Sequence, residues 1–177
     1  MTAESDCLYQ AEVKLRLAEV VFPPAAGWDV QVHLDGMERA RGGRQQPGKA
    51  ERVAAAERAL RTLGVQIGVH EYHGRVDFVA EKPSSHRHLI EVEGDSSRPK
   101  TQAIHSCLAQ ILMAMRSWSE WDHYGVAVPG TAGWERRIAK ISTAVRSRLN
   151  LDLYVVRPSG QVLQYGPKDE VPKQARA

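Results

Sequence analysis

Apolar positions recur along this chain with two periods, and the switches between them mark its elements. Leu8, Val13, Leu15, Leu17, Val20 and Val21 give an imperfect apolar side to a helix over Ser5 to Val21, capped by Ser5 and ended by Pro23-Pro24. Trp28, Val30, Val32 and Leu34 then alternate with polar residues, the period of a short strand. Residues 36 to 48 are glycine-rich, basic and aperiodic, and read as a loop. Helical spacing returns over Lys49 to Leu63, where Val53, Ala56, Leu60 and Leu63 form one side and Gly64 the stop.

Three strands follow: Val65 to Tyr72, Arg75 to Ala80 and Leu89 to Gly94. Ser97 would cap a helix from Arg98 to Trp118, whose Ile104, Cys107, Leu108, Ile111, Leu112 and Met115 face a core. Tyr124 to Val128 is a buried strand stopped by Pro129-Gly130. Trp134 to Leu149 reads as one amphipathic helix, with Ile138, Ile141 and Val145 inward and its arginines outward. Leu151 to Val156 is a further strand, Val162 to Tyr165 an edge, and the chain beyond Pro167 frays. The core order αβββαβαβ predicts an α/β fold: a mixed sheet with flanking helices, behind an N-terminal helix/strand extension. Residues 1–48 would be that extension with its basic loop, 49–165 the core and 166–177 a flexible tail, all within one domain.

The central hairpin carries the chemistry. A turn at Pro83-Ser84-Ser85 sets Asp77 across from Glu91, and Glu93 shares the face of Glu91 because side chains alternate along a strand. Three carboxylates on one face repel unless a cation or a proton holds them together, so Asp77, Glu91 and Glu93 form a candidate divalent-metal site. Glu57, at the edge of its helix's apolar stripe, is either a fourth acid or the partner of Arg61 four residues on. The competing reading of the whole cluster is a sheet face with ordinary exposed charges.

Hydrophobic residues make up 42% of 177 residues, which suits a globular chain. No apolar run approaches the roughly 20 residues of a membrane span, and the acidic N-terminus lacks a signal-peptide pattern, so a cytoplasmic protein is expected. Cys7 and Cys107 make neither a disulfide framework nor a metal spacing. His70, His73, His86 and His88 match no zinc module and are expected at the surface. The net charge is only +3, but it is uneven. Arg39, Arg41, Arg44, Lys49 and Arg52 crowd the region before the acidic middle, a distribution suited to gripping a polyanion around a metal.

The strand Asp77, the short hairpin and Glu91-Val92-Glu93 ahead of a helix resemble the PD-(D/E)xK nuclease superfamily, the restriction-endonuclease-like fold. The resemblance spans about residues 49 to 157. It implies a nuclease that binds Mg²⁺ (or Mn²⁺) through Asp77, Glu91 and the Val92 carbonyl and cuts DNA, as a homodimer if both strands are cut. Two departures stand out: Val76 replaces the usual proline, and Glu93 replaces the usual lysine. Lys100, in the first turn of the following helix, is the expected substitute lysine, with Lys82 in the hairpin loop a poorer one; Gln102 matches a glutamine common there. Glu93 would act as base or hold a second ion. Two other readings remain open: a degenerate nuclease fold that binds nucleic acid without cutting it, and a protein-interaction subunit.

Overall fold

The computed structural model describes residues 7–39, 47–83, 86–95, 99–115 and 121–172. Its centre is one seven-stranded mixed sheet, in the order β2-β1-β3-β4-β5-β6-β7. The strands are β1 (Asp29–Val32), β2 (Gln66–Ile67), β3 (Phe78–Glu81), β4 (Arg87–Val92), β5 (Asp122–Pro129), β6 (Leu151–Val156) and β7 (Val162–Tyr165). β1 to β4 run antiparallel where β1 meets β3 and β3 meets β4, while β4, β5 and β6 are mutually parallel. The parallel strands are the most apolar. All six residues of β6 are buried, as expected of strands covered on both faces.

Side-chain alternation splits the sheet into two cores. Val30, Val32, Phe78, Ile90, Val92 and Tyr154 face α1 (Gln10–Arg16) and α2 (Lys49–Thr62). Val79, Leu89, Tyr124, Val126 and Leu153 face α3 (Lys100–Ala114) and α4 (Ala132–Ile138). The first 48 residues therefore do more than extend the fold. Val13, Leu17 and Ala18 are fully buried, and β1 lies inside the sheet between β2 and β3.

Several elements differ from their sequence patterns. α1 continues as a π-helical turn, Leu17–Val21, with Phe22 N–H donating to Leu17 O across five residues. The strand expected over 65–72 shrinks to β2, because the chain turns back at once in a bridge between His70 and Gly74. The helix expected over 134–149 is two, α4 and α5 (Thr143–Leu149), separated where Ser142 Oγ caps α5 by accepting from Val145 N–H. That break resets the helical phase. Val145 turns outward, and Arg146 turns inward to donate to the carbonyls of Gly166 (2.8 Å) and Asp169. The same contacts hold the chain after β7, so Gly166 to Asp169 are tied down and Val171 is buried. Ser5, Ser97 and the turn at Ser84-Ser85 lie outside the described residues. No helix of the described residues is long and apolar enough to cross a membrane.

Candidate functional site

The β3–β4 ladder has the register read from the sequence. Phe78 pairs with Ile90 and Glu81 with Arg87, so one further rung sets Asp77 against Glu91. Asp77 sits just before β3, where its backbone leaves the ladder to accept from His33 N–H. Its side chain takes over the edge: Oδ2 accepts from Val92 N–H at 3.0 Å. Glu91 is buried, and its carboxyl lies within hydrogen-bond reach of that of Asp77. Burial, followed by the charge of Asp77 and that hydrogen bond, pushes Glu91 up to about 9. Among the described residues, Glu91 Oε2 has no hydrogen-bond partner.

A cation stands at this pair, and it comes from α1. Lys14 is fully buried and donates to Asp77 Oδ1 (2.9 Å), Glu38 Oε2 (2.7 Å) and the His33 carbonyl (2.7 Å). Burial alone would lower its pKa. The two carboxyls outweigh that and hold the ammonium charged, above its ordinary range. Glu38 is itself raised, to about 7, because burial outweighs the attraction of Lys14. These two shifts pull against each other. The ammonium has Asp77 as well as Glu38 to keep it charged, so Lys14 stays a cation while Glu38 is the group that titrates.

The other sequence candidates are distributed differently. Glu93 is buried on the face of Glu91 and accepts from Cys107 Sγ of α3 at 3.6 Å. That burial and the carboxylates around it raise the Cys107 thiol well above its ordinary value. The Val92 carbonyl accepts from Gln10 Nε2 at 2.8 Å. Lys100 is turned to Asp95 (2.7 Å) and lies over the Trp134 ring at 4.7 Å, Lys82 lies over Trp28 at 5.3 Å, and Gln102 is exposed. The lysine at the acids is thus Lys14. The fourth acid is Glu38, since Glu57 is gripped by Arg39 (3.0 Å through both Nε and Nη2) and by Arg61 (2.9 Å). Those pairings depress Glu57 to about 2, the Arg39 hydrogen bonds first.

The basic residues expected to meet phosphate are mostly engaged within the chain. Arg52 donates to Glu12 through Nε (2.8 Å) and Nη2 (2.7 Å) and lies over the Tyr9 ring, while Lys49 donates to the Met37 carbonyl. Arg41 and Arg44 lie outside the described residues. Sequence reasoning missed Lys14, Glu38 and Gln10. The available signal was a lone lysine on the apolar side of an N-terminal helix, four residues after Gln10 and so above it on one face.

No family model matches this chain, and no curated protein matches its sequence.

Proposed function

We propose that this chain is a metal-dependent nuclease hydrolysing phosphodiester bonds in DNA, with Asp77 and Glu91 at the centre of its site. The reading is carried by one observation: two carboxyls from adjacent antiparallel strands touch, and a lysine ammonium touches one of them. The donors fit a hard cation. They are carboxylate oxygens, and among the described residues the buried Glu91 Oε2 has no hydrogen-bond partner. Mg²⁺ or Mn²⁺ bound there would neutralise the phosphate and lower the pKa of its bound water.

The chain's own residues do the rest. Asp77, held by Val92 N–H, and Glu91 would supply the oxygens for the ion. Lys14 commits its three donors to Asp77, Glu38 and the His33 carbonyl, so its part is to hold and orient the Asp77 carboxylate beside the phosphate. Glu93 would take one proton of the attacking water as its oxygen bonds to phosphorus, and the opposite P–O bond breaks to give a phosphomonoester and a leaving oxygen that takes its proton from solvent. The test is plasmid cleavage with Mg²⁺ or Mn²⁺ by wild type, Asp77→Asn, Glu91→Gln and Lys14→Met. Each variant should lose at least ~100-fold in rate. Wild-type cleavage by both carboxylate variants would reject the site.

The Lys14–Asp77 ion pair favours a second reading, a nucleic-acid-binding module without catalysis, because the ammonium already occupies one oxygen of Asp77. That reading expects salt-sensitive DNA or RNA binding and no cleavage with any metal.

A further inference from the structure

The opposite end of the sheet, on its other face, holds a second group of ligands. His88 of β4 and His123 of β5 are direct register partners, and Asp152 of β6 lies diagonally beyond, next to Gly125. Their ligand atoms fall within 4.8 Å of one another. His123 Nδ1 lies 3.5 Å and His88 Nδ1 4.0 Å from Asp152 Oδ2. These separations are longer than a hydrogen bond and near the ~3.4 Å edge of a tetrahedron around an ion with 2.0–2.1 Å bonds.

Three observations say that a ligand is missing. Asp152 is only 3% exposed, and among the described residues no lysine or arginine reaches within 4.0 Å of it. The Tyr154 hydroxyl stands 3.5 Å from its Oδ2. Among the described residues, the buried His123 Nδ1 has no hydrogen-bond partner. His88, walled by Phe22 and Trp28 and with its side chain only 12% exposed, sets Nδ1 4.0 Å from the Asp152 carboxylate, beyond hydrogen-bond range. Expected at the surface from sequence, His88 is instead largely buried. A buried carboxyl group faced by two imidazoles and by no lysine or arginine among the described residues lacks a fixed counter-charge.

We propose that His88, His123 and Asp152 bind one divalent transition-metal ion of the zinc type. Two imidazole nitrogens and one carboxylate oxygen suit Zn²⁺ or Co²⁺, whereas Mg²⁺ and Ca²⁺ take oxygen ligands. The three ligands stand on adjacent parallel strands, so the backbone sets their spacing rigidly. The His123 side chain is partly exposed, and exposed His86 packs edge-on against its ring at 5.5 Å. The site shares no ligand with Asp77 and Glu91: Glu91 is three residues on along β4 and points to the other face.

The full chain, stripped of metal by chelator, should take up one Zn²⁺ per chain by elemental analysis after gel filtration. Co²⁺ in its place should give the strong visible bands of a tetrahedral ion. Asp152→Asn and His123→Phe, both close to isosteric, should each weaken uptake by at least ~100-fold, beyond what loss of a supporting residue costs. Circular dichroism checks that each variant is folded, and Glu91→Gln should bind Zn²⁺ like the wild type. No uptake by the folded wild type would overturn the proposal. So would unchanged uptake in both ligand variants, or loss only in His73→Gln, which breaks the other His/Glu triad, His70, His73 and Glu81.

Discussion

Lys14 is the residue on which the acidic end of the sheet depends. Removing it leaves Glu38 and Asp77 facing each other in a buried space with no cation, and breaking such a pair from one side costs about 3–5 kcal/mol. Lys14→Met should therefore lower the urea midpoint strongly at pH 8. It should do so less at pH 5, where Glu38 can take up a proton. Adding Glu38→Gln to Lys14→Met should recover part of the loss; failure to recover would mean that Glu38 carries no buried charge. The pH dependence follows from the same groups. Glu38 and Glu91 have folded values raised to about 7 and about 9, above the ordinary 4.5. The stability they contribute is complete below pH 4.5 and is lost as pH rises through 7 and then 9. Glu57, depressed to about 2, works the other way: its contribution is present above 4.5 and lost as pH falls toward 2. Urea midpoints across pH 3 to 9 should decline on the alkaline side, and Glu91→Gln should flatten the upper part of that decline.

The pairing of β3 with β4 was legible because a hairpin is local. Once alternation fixes which residues share a face, one turn position sets every rung, and Asp77 and Glu91 follow. Lys14 was not legible, because it reaches Asp77 across 63 positions of sequence and only the packing of α1 on β4 brings them together. That packing has a narrow tolerance at Gly94. A Cβ there would lie 2.3 Å from the Gln10 backbone nitrogen, and backbone cannot swing aside as a side-chain tip can. Gly94→Ala should push α1 away from the strand end, breaking the Gln10–Val92 contact and loosening Lys14. A cost of about 1–3 kcal/mol is expected, together with faster hydrogen exchange in α1 than in α3. The single helix read over 134–149 failed for a similar reason. Its apolar spacing runs on through residues 139–142, but the chain breaks there and Ser142 starts a new turn, and only the new phase explains why Arg146 is buried.

At the scale of the molecule, the order of elements gave the class of fold, whereas the grouping of charges along the chain did not show their partners within it. Arg39, Lys49 and Arg52 look from sequence like a phosphate-binding band, yet the chain uses them to tie α1, α2 and the segment after β1 together. Arg52→Ala should accordingly destabilise the protein, through lost contacts to Glu12, Tyr9 and the Cys7 carbonyl, and change DNA affinity little at temperatures where it stays folded. Among the basic residues left exposed are Arg136 and Lys140, in and just after α4, whose Arg137 donates to Thr101 of α3. α3 carries Cys107, the partner of Glu93, so this face is the cationic surface joined most directly to the acids. If DNA is the substrate, each exposed cation that meets a phosphate contributes through released counterions. Arg136→Ala and Lys140→Ala should each then reduce the slope of log affinity against log salt by about one, with the thermal midpoint unchanged. Slopes equal to wild type in both variants would move the nucleic-acid contact to another face, and no measurable slope at all would remove DNA as the partner.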